Sequence, residues 1–360
     1  MEWHSDIDTD MRRGVLYALL AAVLFGASTP FAKLLLTDTP PVLLAGLLYG
    51  GSGMGLGIWL GVRGRLQPHR RPPSVPWRRS EILCFGGAVA AGGVLGPAML
   101  MAGLQRMPAS TAALLLNMEG VFSALLAWLV FRENIDRRIL IGILAIIAGG
   151  VLLAWPQRVA LGGGGGAAWV AVACACWAMD NNLTRKVSAA DPVVIAALKG
   201  LIAGAVDLGI AAALGAHWPA GPRILAAALV GLAGYGVSLA LFVLALRHLG
   251  AARTGAYFST APFIGVAASL LLFRQMPGMI FWIAALLMGA GVGLHLTENH
   301  AHPHIHRRMR HVHTHVHDQH HQHEHDFEWV GREPHRHEHF HLPLTHSHVH
   351  YPDIHHRHEH

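Results

Sequence analysis

Charge is scarce in this sequence: Asp, Glu, Lys and Arg make up 13% of its 360 residues, against about a quarter in an ordinary soluble chain. So little charge cannot solvate the two or three soluble domains that the length alone would suggest. Cysteine is almost absent, with only Cys84, Cys174 and Cys176, all inside apolar runs. That excludes a disulfide framework, and the spacing of Cys174 and Cys176 is not a CxxC pair. They read as small packed hydrophobes. No nucleophile–base constellation stands out, and the glycines at 162–166 lack a following Lys-Ser/Thr, so they read as a linker rather than a phosphate loop. An enzyme is not expected. The first apolar run, Gly14 to Leu36, is too long for a cleavable signal peptide and has no small-residue cleavage site.

What is present is hydrocarbon. Mean hydropathy is +0.40 although the last sixth of the chain is polar. Runs near twenty residues, enough to cross a bilayer at 1.5 Å per residue, are expected at 14–36, 41–62, 82–105, 109–131, 139–155, 167–186, 193–215, 223–247, 252–273 and 279–297. With the N-terminus inside, the inner loops hold fifteen Lys and Arg residues, among them Arg63, Arg65, Arg70, Arg71, Arg78 and Arg79, and the outer loops hold five. The positive-inside rule therefore places both termini in the cytoplasm, with the protein in the plasma (inner) membrane.

The chain also repeats itself. Leu104-Gln-Arg-Met-Pro-Ala109 through Phe131-Arg132 parallels Leu246-Arg-His-Leu-Gly-Ala251 through Phe273-Arg274, an offset of 142 residues. Asp38-Thr-Pro-Pro-Val42 and Asp191-Pro-Val-Val194 mark the start of each half. The expected division is 1–13 (cytoplasmic N-terminus), 14–155 (first five-helix repeat), 156–166 (Gly-rich linker), 167–297 (second repeat) and 298–360 (cytoplasmic tail). Five is odd, so the second repeat enters the membrane inverted. The fold class is an all-α integral membrane protein: ten transmembrane helices as two inverted five-helix repeats, plus a disordered tail. Inverted repeats build alternating-access carriers, with the substrate near the midplane.

The stretch from Ala109 to Glu133 starts with small residues, carries Glu119 at mid-helix and ends on an acid. Together with Leu24-Phe25-Gly26 and Lys33, it resembles the EamA-type, ten-helix members of the drug/metabolite transporter superfamily, over about Gly14 to Thr297. The resemblance implies a secondary carrier, often an exporter of metabolites or amino acids. Gly120 stands where many members carry proline, while in the second repeat Ala261 and Gln275 replace Glu119 and Glu133.

A charge in the bilayer costs about 2.5–3.5 kcal/mol on insertion scales, so each one marks a candidate site. Glu119, with Asn117 two residues before it, is placed to exchange a proton or pair with a cationic substrate; a folding role beside a helix dipole or a lysine is the alternative. Asp180, Asn181 and Asn182 cannot share one helix face, so one of them must meet a cavity or another helix. Asp180 could equally pair with Lys199 for structure alone. Lys199 and Asp207 lie about 12 Å apart along one span, too far to bond each other, and Lys199 could instead snorkel to the interface. Pro30, Pro97 and Pro262 each remove a helical hydrogen bond and are hinge candidates; simple packing kinks are the alternative. Tyr235, Tyr257, Trp128 and Trp177 either line a pocket or anchor at the interfaces.

More than a third of residues 299–360 are histidine, mostly at alternate positions. In an extended segment His at i and i+2 face one side and can chelate one ion. The expected ligands are His302, His304, His306, His311, His313, His315 and His317; then His321, His323 and His325; then His337, His339, His341, His346, His348 and His350. Asp318, Glu324, Asp326 and Glu338 are available to complete a shell. Without cysteine the tail suits Zn, Ni, Co or Cu(II). Low hydrophobicity argues for disorder without metal, and pH sensing is the alternative use of so much imidazole.

Three functions are consistent with these residues. The first is a proton-coupled or facilitative carrier of a small metabolite, expected to be an exporter, with a metal-responsive tail. The second is a divalent-metal (Ni, Co, Zn or Cu) permease, and the third a membrane-anchored metal buffer or sensor. No cofactor is required beyond a transition metal on the tail. The expected partners are the lipid bilayer and a small-molecule or metal-ion substrate, not nucleic acid, with a homodimer left open.

Overall fold

The computed structural model describes residues 2–66, 78–131, 137–159, 165–184, 191–296, 300–306, 309–315, 335–341 and 344–350. Residues 160–164, which include three of the five linker glycines, together with Glu133 and His317, His321, His323 and His325, lie outside the described residues. The membrane part is helical. Helix α1 is Glu2–Leu35 and α2 is Pro41–Leu66. Then α3 (Arg79–Ala88), a π-helical stretch (Val89–Leu95) and α4 (Gly96–Arg106) run on as one span. The fourth span is split into α5 (Ala109–Leu115) and α6 (Met118–Phe131), followed by α7 (Arg137–Val159).

The second half begins with α8 (Gly166–Thr184) and α9 (Pro192–Ala213). Helix α10 (Gly221–Gly231) passes through a π-helical stretch (Leu232–Val237) into α11 (Ser238–Phe258). Two further helices, α12 (Ala261–Phe273) and α13 (Met279–Leu296), complete it. Among the described residues eight helices are long and apolar enough to span a bilayer. Of the other two predicted spans, α13 is shorter, and the polar run Asp180-Asn181-Asn182 lowers the hydropathy of α8. Large apolar side chains such as Leu83, Leu271 and Leu286 are more than 70% exposed on the helix flanks, where a bilayer supplies the solvent. This is a multi-pass membrane protein.

The packing has the symmetry of an inverted repeat. Helix α2 packs on α9, its counterpart, and α7 on α13, its counterpart; α8 sits against α4 and α6 as α1 sits against α11 and α12. Small residues permit this. A Cβ on Gly200 would lie 2.7 Å from the Gly53 nitrogen, and one on Gly204 would lie 2.5 Å from that of Gly50. The α2/α9 seam is therefore backbone against backbone, as small-xxx-small motifs allow. Each half's opening aspartate is tied to the other half, since Asp38 pairs with Arg223 and Asp191 with Arg63 at 3.7 Å. Asp191 also caps α9, accepting from the Val193 N–H at 2.9 Å.

Two expectations are corrected. The fourth span is not one helix but breaks at Leu116–Asn117. The loop expected at 248–251 is helical, because Gly250-Ala-Ala holds nothing that stops a helix, and the interruption falls instead at Ser259–Thr260. Strand β1 (His300–His306) pairs antiparallel with β4 (Leu344–His350), and β2 (Met309–His315) with β3 (His335–His341). The period-two alternation of His with Ile, Val, Thr and Phe that suits chelation also suits a pleated strand.

Candidate functional site

The two broken spans meet. Backbone bonds of the i→i−3 type tighten the chain at both interruptions: Asn117 N to Leu114 O at 3.2 Å, and Thr260 N to Tyr257 O at 3.2 Å. The 142-residue offset carries Leu116, Asn117, Glu119 and Gly120 onto Phe258, Ser259, Ala261 and Pro262. All eight line one cavity of about 170 Å³, closed by Phe25, Ser123, Ile146 and Val292. A Cβ on Gly120 would meet nothing within 4 Å, so this glycine leaves space open rather than permitting close packing. Helices α6 and α12 both start here, turning their partly positive N-termini towards the cavity.

Glu119 sits in the first turn of α6, where a helix dipole favours negative charge. Its Oε1 accepts from Asn181 Nδ2 at 2.8 Å. Asn117 is buried and donates through Nδ2 to Leu114 O at 2.8 Å, which ties it to the broken turn. On the same helix as Asn181, Asp180 is ion-paired with Lys199 and accepts from Thr184 Oγ1 at 3.0 Å. Gly92, in the π-helical stretch, has no Cβ to obstruct the Asp180 carboxyl packed on it. The Gly92 carbonyl accepts from Tyr49 Oη at 2.9 Å and from Trp177 Nε1 at 3.0 Å.

The candidates therefore fall into three places. Glu119, Asn117 and Asn181 are at the cavity. Asp180 and Lys199 form a neighbouring buried pair. Asp207 belongs to neither: it is fully buried, and neither carboxyl oxygen has a hydrogen-bond partner among the described residues. Of the hinge candidates, Pro262 lies in the first turn of α12, after the interruption at 259–260, where a missing N–H costs least, while Pro97 follows the π-helical stretch within a continuous span. Pro30 lies inside the continuous α1.

Sequence reasoning missed an aromatic cluster. Phe25 stands 5.4 Å from Phe258, 6.0 Å from Tyr235 and 6.3 Å from Trp177, and Tyr49 stands 5.2 Å from Tyr235, all between ring centroids. Of these residues only Trp177 and Tyr235 stood out in the sequence as pocket candidates. Trp128 is 49% exposed, on the side that faces lipid, and Tyr257 lines a different cavity beside Arg12 and Arg253. The two π-helical stretches also went unseen, although the same offset relates 90–95 to 232–237.

Comparison with known proteins agrees with this architecture. The chain is 27% identical over 301 residues to an uncharacterized transporter of Methanothermobacter thermautotrophicus, covering 78% of this chain and 86% of that one. A crystal structure at 19% identity superposes with a TM-score of 0.57 over 79% of this chain and 96% of the other, a likeness of fold. The EamA-like transporter family model matches twice, at residues 12–155 and again at 164–297. The two matches fall on the two halves whose broken helices enclose the cavity, and the chain belongs to the EamA-like transporter family.

Proposed function

We propose that this membrane transporter is a secondary carrier that exports a small metabolite by alternating access, with Glu119 as its substrate-binding or proton-coupling carboxylate. One observation carries the reading: two broken helices, equivalent in the repeat, open onto a single cavity that holds an acid. Discontinuous helices at a repeat interface are how carriers expose backbone groups to substrate without exposing them to lipid. The carboxylate of Glu119 and the faces of Phe25 and Phe258 favour an ammonium-bearing substrate over an anion. The cavity supplies one carboxylate, one amide and two hydroxyl side chains, with no imidazole or thiolate, a poor shell for a bare transition-metal ion. This supports the metabolite carrier over the metal permease.

In this reading both termini are cytoplasmic, the protein resides in the plasma (inner) membrane, and the tail binds divalent metal and adjusts transport to it. The test is uptake into inside-out vesicles of a panel of amino acids, amines and divalent metals. Glu119→Gln should abolish accumulation of one organic substrate while leaving the elution profile of the purified protein unchanged. Undiminished uptake removes Glu119 from the site, and uptake of metals alone overturns the metabolite reading.

A further inference from the structure

One buried acid has no part in the cavity. Asp207 lies well inside α9, fully buried, with both carboxyl oxygens unpartnered among the described residues. On either side of it α9 meets α2, its counterpart in the other repeat, at backbone distance. Gly204 abuts Gly50, and the Leu208 nitrogen lies 2.9 Å from where a Gly46 Cβ would stand. One turn before Asp207, Ala203 shares its face of the helix. The Ala203 Cβ lies 2.8 Å from where a Gly93 Cβ would stand, so this face turns towards the third span. The carboxyl is thereby shut off from water in the seam that joins the two halves.

No side-chain cation faces it. On its own helix Lys199 is engaged with Asp180, about 12 Å away along the axis. From α2 comes Tyr49, whose hydroxyl is given to the Gly92 carbonyl, and at the helix end Arg63, which pairs with Asp191, and Arg65. The third span has no ionisable residue from Phe85 to Gln105. The π-helical stretch at Leu232–Val237 and α11 meet α9 near its start, where Leu232 and Leu239 pack on Ala196 and Ala197. They bring Tyr235 and, farther along, His248, Arg253 and Tyr257. A hard metal cation takes about six oxygen ligands, and this seam of Ala, Gly and Leu side chains does not supply them. An isolated carboxylate in such surroundings is far costlier than the neutral acid, so the group keeps a proton instead of a charge.

We propose that Asp207 carries the coupling proton of this carrier, bound while the α2/α9 seam is shut and exchanged with water when the seam parts. This rests on the reading of the chain as a secondary carrier and divides the work between its two acids, Glu119 holding substrate and Asp207 the proton. Alternating access moves one repeat against the other, so a seam between counterpart helices is a place that must rearrange. When it opens, the carboxyl O–H bond breaks and the proton passes to water on that side. Closing requires a proton to be taken up again, because the shut seam does not tolerate the charge. The buried acid is thus a toll on the conformational change and not a contact with cargo.

Two measurements on the full-length protein test this. Infrared spectra of the wild type in proteoliposomes at neutral pH should contain the C=O stretch of a protonated carboxyl, retained in Glu119→Gln and lost in Asp207→Asn. Absence of the band from the wild type, or its survival in Asp207→Asn, overturns the proposal. Transport is then followed with the radiolabelled amino acids and amines of the panel. Asp207→Asn, neutral and of the same shape as the protonated acid, should keep counterflow exchange near the wild-type rate but lose accumulation driven by an imposed pH gradient. Glu119→Gln should lose both. An Asp207→Asn protein that accumulates as the wild type does refutes the assignment, as does a Glu119→Gln protein that keeps exchange and loses only accumulation. A wild type that moves none of these compounds sinks the carrier reading and the coupling with it; the infrared band, if present, tells that failure from an error about Asp207 itself.

Discussion

Replacing Lys199 by methionine would strand the Asp180 carboxylate in a place water cannot reach. The two side chains are only 12% and 5% exposed, and Asp180 is pressed against Gly92, where even a Cβ would collide with it. The Thr184 hydroxyl would remain as a donor, but a neutral hydroxyl does not balance a buried charge. Removing one partner of a buried pair costs about 3–5 kcal/mol, whereas replacing both with neutral groups of similar volume is often close to neutral. Lys199→Met should therefore lower the thermal midpoint in nanodiscs by on the order of 6–10 °C, at roughly 2 °C per kcal/mol for a long chain. The double variant Asp180→Asn/Lys199→Met should recover most of that loss and still transport, because the pair stands beside the cavity and does not line it. A single variant that melts with the wild type would falsify the claim that the pair is a buried scaffold element, as would a double variant no more stable than the single one. A stable double variant without transport would move the pair into the site.

Two further outcomes follow from the packing. Gly204→Leu forces a side chain into the Gly50 backbone and should cost about 1–3 kcal/mol in a melting assay; Gly120→Leu, which points into open space, should leave melting unchanged while slowing uptake by filling the cavity. Asp207→Leu removes a buried carboxyl whose oxygens have no hydrogen-bond partner among the described residues, and should raise stability by about 1–3 kcal/mol; a lower melting temperature would mean that the carboxyl is held by a partner.

Much of the membrane fold was legible because its signals are local. Apolar run length marks the spans, and a repeated string such as Leu104 to Arg132 marks the two halves. The interruptions were not legible. Leu116-Asn117 lies in an apolar run with no proline or glycine before the break, and what stabilises it is the opposite half of the protein. Pro262 was a real signal read too weakly: a proline in a first helical turn marks a beginning, not only a bend. The site was half legible for the same reason. Glu119 and the Asp180 run stood out as polar residues among apolar ones. Phe25, Tyr49 and Phe258 are unremarkable until helices distant in sequence bring their rings together. In the tail, the pairing of β1 with β4 joins segments some forty residues apart and leaves no trace in either alone.

The matched interruptions at 116–117 and 259–260 give the two halves the same joint, yet only one joint carries an acid, with Glu119 on the first and Ala261 on the second. Under the proposed alternating access the inward-open and outward-open forms are related by the pseudo-two-fold of the repeat, each half taking the shape the other has just left. Their chemistry does not follow that exchange, because the acid stays with the first half. Gradients across the membrane then set the direction of net transport, while the lone acid sets how unequally the two forms hold a charged substrate.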